Sequence, residues 1–383
     1  MKTINFGLVG TGLMAKEFAS VVSRWDDLLD VTARPQIVAV CSRDPKGAAA
    51  QWFAGRLPTV KQLTADLGEM LANADVEAVY CAVPHDLHAE QYTAIIKSGR
   101  HLMGEKPFGI DLEANRRILD AIVKTPAPVV RCSSEFPFHP AVQKIAKMIE
   151  GDAFGRIIEV NSFFRHSSDL DPEKAINWKR TVERNGEYGC MGDLGMHVCH
   201  VPFRAGWIPK NVRAILSKIY DTRPDGKGGR VKYHTWDNAT LLCETADRRS
   251  GASFPMTIKM QRIAPGERNS WSLEILGTKG GARFSTKNPK LLQTMAYRGG
   301  SDQSWQQADI GHEGVFKTIT GGIFEFGFGD CFLQMWAAYL EELATGKPRS
   351  LFAGCVTPEE TALSHRLFTA AIESQKRAQV ISV

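Results

Sequence analysis

The feature that most constrains this chain lies at its start. A short apolar, β-branched run at residues 4–9 leads into Gly10-Thr11-Gly12-Leu13-Met14-Ala15, and a helical pattern begins at Leu13. A strand that turns through glycine into a helix puts the helix's open N–H groups and positive dipole end at the turn. The first glycine permits the tight turn, the second lets the backbone approach a pyrophosphate, and Ala15 lets helix and strand pack closely. G-x-G-x-x-A alone is a weak signal. Placed after a strand, at a helix start and at the head of a βαβ series, it points to a bound dinucleotide. Gly10, Gly12, Leu13 and Met14 are therefore candidate cofactor contacts.

The series continues for about 130 residues. Apolar runs at residues 37–41, 78–83, 101–103 and 128–132 alternate with helical patterns at 13–24, 46–54, 67–73, 87–98 and 112–124. Alternation of this kind predicts right-handed crossovers and a parallel sheet covered on both faces. After Pro140 one helix (142–150) is followed by strand-like stretches at 156–164, 212–219, 239–244, 253–262, 271–276 and 291–296. Turn-rich segments such as RPDGKGG and GTKGG separate them, which predicts a mostly antiparallel sheet. Two helices, 331–345 and 358–378, close the chain. The expected fold class is α/β: an N-terminal Rossmann parallel sheet over residues 1–134, then an α+β domain with a mostly antiparallel sheet over 135–383. The expected site lies in the cleft between them.

Second-strand chemistry bears on the cofactor. The strand ends VAVC-Ser42-Arg43-Asp44, so Ser42 stands where a ribose-reading carboxylate is usual. A carboxylate repels a 2′-phosphate, whereas Ser followed by Arg accommodates or pairs with it. Ser42 and Arg43 thus lean toward NADP, or use of both NAD and NADP, with Asp44 as a residue able to swing in. Ligands of open α/β sheets bind beyond the strands' carboxyl ends. Pro84, His85 and His88 after the fourth strand, and Glu105 and Lys106 after the fifth, join the candidate cofactor contacts on that ground.

Lys106 in Gly104-Glu105-Lys106-Pro107 is placed to stabilise an oxygen that becomes negative during hydride loss. In Gly189-Cys190-Met191-Gly192-Asp193-Leu194-Gly195-Met196-His197, Asp193 and His197 are four apart and share one helix face. An imidazole suits acid–base work at neutral pH, and a neighbouring carboxylate can orient and tune it. Taken alone, Asp193 would read as the N-cap of a helix begun near Leu194. A zinc site from His197, Cys199 and His200 lacks a third well-placed ligand, so no metal is expected.

Together these segments resemble the Gfo/Idh/MocA family, named for glucose–fructose oxidoreductase, inositol dehydrogenase and a rhizopine-catabolism protein. The resemblance covers nearly the whole chain, including Gly277-Thr278-Lys279-Gly280 and the closing ESQKRAQV. It implies that Lys106, Asp193 and His197 surround the substrate hydroxyl and the nicotinamide. It also implies a cis bond before Pro107 and association into dimers or tetramers. The family pattern carries Asn-x-Arg before Phe-x-Pro, which Phe138-His139-Pro140 matches; here those positions hold Glu135 and Pro137, so a cationic substrate contact is missing. The Asp that often follows the histidine by three is His200. Glu135, Arg165, His166, Trp178, Arg180 and His200 are the candidate substrate contacts.

The resulting expectation is an NAD(P)-dependent dehydrogenase or reductase acting on a secondary hydroxyl of a sugar, sugar derivative or inositol. The alternative is a redox-assisted glycosidase or lyase, which oxidises transiently, eliminates an aglycone and takes the hydride back. Glu135, His139 or His200 would be its extra base. A non-catalytic nucleotide sensor is the third reading, disfavoured by retention of Lys106, Asp193 and His197. The net charge of +5 is mild and Lys and Arg are scattered, which argues against a nucleic-acid partner. No run approaches the roughly 18 apolar residues of a membrane span. A strand beginning at residue 4 leaves no secretory leader, and eight cysteines without a CxxC pair read as reduced core residues, so a cytoplasmic protein is expected.

Overall fold

In the computed structural model, which describes residues 1–300, 302–310 and 313–383, strands and helices alternate from Lys2 onward. They are β1 (Lys2–Val9), α1 (Leu13–Ser23), β2 (Ala33–Cys41), α2 (Ala48–Arg56), β3 (Gln62–Thr64), α3 (Leu67–Ala72), β4 (Ala78–Cys81), α4 (His88–Lys97), β5 (His101–Gly104), α5 (Leu112–Lys124) and β6 (Val130–Cys132). All six strands pair in parallel, in the order β3-β2-β1-β4-β5-β6. The order reverses between β1 and β4, and that reversal is where sheets of this kind hold their ligands. Every residue of β4 is buried, which is why its run is apolar throughout rather than alternating. β3 is the element the apolar pattern missed. At three residues it is too short to show a period.

The chain divides into two compact units that interleave along the sequence. The first is Met1–Gly109 with Glu113–Phe138 and Gly314–Thr361; the second is Ile110–Leu112 with His139–Glu313 and Ala362–Val383. A single division at 134/135 leaves Gly314–Thr361 in the second half. Burial explains why it joins the first unit instead. Within it α9 (Phe328–Thr345) inserts Trp336, which stacks on Phe18 at 3.9 Å and meets Phe6 and Tyr80 edge-on at 5.7 and 4.9 Å. Ion pairs from Asp330 to Arg24 (2.6 Å) and from Glu342 to Arg131 hold the helix at both ends.

The second unit contains α6 (Pro140–Glu150), β7 (Ile157–Arg165), α7 (Val182–Asn185), α8 (Cys190–Arg204), β8 (Trp207–Ser217), β9 (Thr222–Pro224), β10 (Arg230–Lys232), β11 (Asn238–Asp247), β12 (Ser253–Gln261), β13 (Ser270–Gly277), β14 (Gly280–Ser285), β15 (Leu291–Ala296) and β16 (Gln306–Asp309). It also takes most of α10 (Pro358–Arg377), and it ends in β17 (Ile381–Ser382). A nine-stranded sheet runs β16-β15-β14-β13-β7-β12-β11-β8-β17, antiparallel except for the β7–β12 pair. β8, β11, β12 and β13 alternate buried and open residues, the pattern of a sheet with one covered face. α8 is covered from Cys190 through Phe203 and lies against β7 and β12. Gly195 makes room there: a Cβ on it would stand 2.1 Å from the Phe368 ring of α10. Among the described residues no helix is long and apolar enough to cross a membrane, and all eight cysteines are buried and free.

Candidate active site

The glycine loop has the geometry its sequence demands. Gly10 adopts φ +92°, and a Cβ there would lie 2.5 Å from the carbonyl oxygen of Ala82, just past β4 at the sheet's reversal. Gly12 precedes α1 in extended conformation, with no acidic residue in the helix's first turn. Nothing lies within 4 Å of the place its Cβ would take. The helix N-terminus is therefore open to an anion, and the loop fits a pyrophosphate. Ala15 is fully buried, whereas Leu13 is 72% exposed. Gly10→Ala combines a disfavoured φ with a main-chain clash, together costing roughly 1–3 kcal/mol. NADH titrated into that variant, followed by nucleotide fluorescence, should bind about 5- to 150-fold more weakly.

Beyond β2, the Ser42 N–H donates to the Thr64 carbonyl (2.9 Å), leaving Ser42 half-buried and Arg43 exposed. Asp44 is folded back against Gly47, the residue that opens α2, rather than toward the strand end. Lys16 and Arg56 both face the Trp52 ring, at 5.2 and 4.6 Å.

Past β4, Pro84 leads into a short turn carrying His85, which is buried. His88, expected as a cofactor contact, proves to be enclosed. Its Nδ1 accepts from the Gly109 N–H (3.3 Å), so its Nε2 donates to the Val83 carbonyl (3.0 Å), and it stacks on Tyr92. These contacts brace the loop between Val83 and Gly109. Glu105 is buried as well, accepting from the Tyr80 hydroxyl at 2.7 Å. The next residue, half-buried Lys106, precedes the cis bond to Pro107 that the resemblance implies. Glu135, one strand over beyond β6, is 6% exposed. Burial, reinforced by Glu105 and opposed by Lys106, raises its carboxyl to about 7.

In the second unit α8 begins at Cys190 behind Gly189, so Asp193 lies inside the helix and does not cap it. Asp193 and His197 are both buried. The main chain at His197 is fixed by the Trp271 indole N–H, which donates to its carbonyl (2.9 Å), and Phe164 stands edge-on to its ring at 5.4 Å. The Asp193 carboxylate is taken up by Lys179 (2.9 Å) and Arg262. Arg262 also reaches Asp169 (2.7 Å), which pairs with Arg180, and Arg180 pairs with Asp237 (3.3 Å). Asp193 therefore belongs to a buried ionic cluster. Asp169, Lys179 and Arg262 were not foreseen in it, because nothing local in the sequence joins residues some 90 apart.

Two of the expected substrate contacts are deeply buried. Arg180 is 1% exposed, and burial with Arg262 beside it brings the guanidinium down to about 10, still cationic at neutral pH. It pairs with Asp169 and Asp237. His200 is fully enclosed, its Nε2 accepting from Arg204 (3.1 Å). Burial and then Arg204 hold it well below the usual imidazole range, so it is neutral. Arg165, at the end of β7, pairs with Glu267 (3.3 Å) and is partly open; His166 follows it, and Trp178 is half-buried beneath the Lys179 ammonium. Among the described residues no group of three His, Cys, Asp or Glu is arranged to hold a metal ion.

Comparison with known proteins adds to this geometry. A model of an oxidoreductase family with an NAD-binding Rossmann fold matches residues 4–131, and a model of the GFO/IDH/MocA C-terminal domain matches residues 142–283. The chain is similar to a levoglucosan dehydrogenase of Pseudarthrobacter phenanthrenivorans, 26% identical over 344 residues that cover 86% of this chain and 83% of that one. It is also similar to an inositol 2-dehydrogenase of Rhizobium meliloti, 26% identical over 296 residues covering 76% and 78%. Among solved structures it resembles levoglucosan dehydrogenase in complex with NADH and L-sorbose, with a TM-score of 0.84 at 22% identity over 100% of this chain and 99% of the other. That last likeness speaks for the fold.

Proposed function

The chain belongs to the Gfo/Idh/MocA family of oxidoreductases, and from that premise we propose that it transfers a hydride between NAD or NADP and a secondary hydroxyl of a sugar, sugar derivative or inositol. One observation carries the reading: Lys106 stands directly beyond β5, in the same unit and on the same sheet edge as the glycine loop. The names of the two similar dehydrogenases favour a sugar or polyol substrate. Residues 1–134 hold the cofactor, and 135–383 supply the substrate contacts and the surfaces for a homodimer or homotetramer. Eight buried free cysteines favour a reducing, cytoplasmic setting.

When bound, the nicotinamide supplies the hydride exchange. The chain's own groups do the rest. Lys106 donates to the substrate oxygen and stabilises it as it becomes anionic. His197 takes the hydroxyl proton, its ring set by a main chain that Trp271 anchors. Asp193, held by Lys179 and Arg262, keeps a fixed negative charge one helical turn before His197. Absence of a carboxylate at Ser42, with Arg43 open and Asp44 turned toward Gly47, favours NADP.

The test is a panel of sugars and polyols followed at the nicotinamide absorbance with NAD and NADP separately. Net formation of reduced cofactor with at least one member is expected, faster with NADP. Aglycone release from a nitrophenyl glycoside without reduced cofactor would replace net oxidation by transient oxidation. Cofactor binding without either reaction would sink both.

A further inference from the structure

Lys16, Trp52 and Arg56 form a group beside the glycine loop to which the proposed reaction gives no part. Lys16 lies in the first turn of α1, its main-chain N–H donating to the Gly12 carbonyl (3.2 Å). Its ammonium stands 5.2 Å from the centre of the Trp52 ring on α2, and Arg56, at the end of α2, stands 4.6 Å from the same ring. The end of β2 lies against the glycine loop as well: Val9 pairs with Cys41, and the Gly10 N–H donates to the Cys41 carbonyl (3.0 Å). Ser42 and Arg43 follow directly, and the chain then turns into α2 at Ala48. The Lys16 side chain therefore leaves α1 on the side where the chain passes from β2 to α2.

This corner carries one sign of charge. Among the described residues no carboxylate pairs with Lys16, Arg43 or Arg56. The carboxylates around the end of β2 are engaged locally. Asp44 folds back on Gly47, Asp66 caps α3 by accepting from the Gly68 N–H (2.7 Å), and Glu69 accepts from the Thr64 hydroxyl. Glu17 is next to Lys16 in the chain, but consecutive helix residues do not face each other. An indole attracts an ammonium weakly at a half-open site and leaves its charge unneutralised. Arg56 has the C-terminal dipole of α2 in its favour. Lys16 lies at the positive end of α1, so an anion is the partner its surroundings lack.

We propose that Lys16 is a specificity-determining residue for the 2′-phosphate of NADP, acting with Ser42 and Arg43. The inference rests on the hydride-transfer reading and names the groups that make its preference for NADP. A phosphate monoester carries close to two negative charges at neutral pH, more than the single cation of Arg43 balances. Ser42 offers a hydroxyl, Arg43 a planar fork and Lys16 a compact ammonium. Trp52 keeps the Lys16 stem in one region before the phosphate arrives, which lowers the entropy lost on binding. NAD has a plain 2′-hydroxyl and gains nothing from a second cation. The pyrophosphate shared by NAD and NADP is the other anion this end of α1 could take, and the experiment separates the two.

The wild-type chain, Lys16→Met and Lys16→Arg are titrated with NADPH and NADH by nucleotide fluorescence and with 2′,5′-ADP by calorimetry. Methionine keeps an unbranched stem against Trp52 and removes the charge; Lys16→Gln serves in its place should that variant not fold. NADPH and 2′,5′-ADP should bind Lys16→Met at least about tenfold more weakly, the loss of one charge-assisted hydrogen bond, with NADH within about twofold of wild type. Lys16→Arg should recover most of the NADPH affinity. Equal weakening of NADPH and NADH overturns the proposal and gives Lys16 to the pyrophosphate. Unchanged NADPH affinity overturns it too, leaving Lys16 as cover for Trp52. A wild type that binds NADH but not 2′,5′-ADP overturns the NADP preference and this inference with it, while the substrate panel still judges hydride transfer. A panel without any substrate would count against the reaction and leave the role of Lys16 to be judged by these binding constants.

Discussion

Lys106→Ala should lower turnover by roughly 10²–10³-fold or more, the cost of removing one preorganised donor to a developing oxyanion. NADH affinity should stay within a few-fold of wild type, because the proposed pyrophosphate site lies at Gly10, Gly12 and the N-terminus of α1. The separation of the two effects is the point of the experiment. Stopped-flow turnover and a fluorescence titration on the same preparation measure both. Turnover at the wild-type level would remove Lys106 from the chemistry, and with it the observation on which the proposed function rests.

The second large effect concerns stability. Asp193→Asn strips the negative charge that Lys179 and Arg262 share, leaving Arg262, with a side chain 9% exposed, short of a partner. Breaking a buried pair from one side costs about 3–5 kcal/mol, since the remaining charge stays desolvated. For a protein of 383 residues that corresponds to a Tm decrease of about 4–6 °C. Asp169→Asn is the control, since Asp169 neutralises Arg180 and Arg262 in the same cluster. Both variants should lose stability by similar amounts in a thermal melt. Only Asp193→Asn should also lose turnover at a temperature where both are folded, because Asp193 alone stands one helical turn before His197. Equal losses of turnover in the two would make Asp193 structural.

What was legible depended on how local the cause was. β1, the glycine loop and α1 could be read because the strand, turn and helix signals fall within two dozen consecutive residues. α5 and β15 were found at their observed bounds. β14 was missed: Gly280 and Gly281 read as the end of a turn, yet both pair with β13 and β15. Gly195 was visible as part of a motif, but its reason, the Phe368 ring from a helix more than 150 residues later, was not.

The amino-acid sequence by itself determined that a parallel sheet would come first, that a glycine turn would open α1 to an anion, and that Lys106 would follow a strand. Those outcomes depend on apolar spacing and on φ values open to glycine, both properties of neighbouring residues. Tertiary structure decided the rest. It brought Gly314–Thr361 into the first unit, because Trp336 completes the aromatic core around Phe6, Phe18 and Tyr80. It buried His88, Arg180 and His200 and gave each an internal partner. It also gathered Asp169, Asp193, Arg180 and Arg262 into one cluster, since charges taken out of water must find partners wherever in the chain those lie.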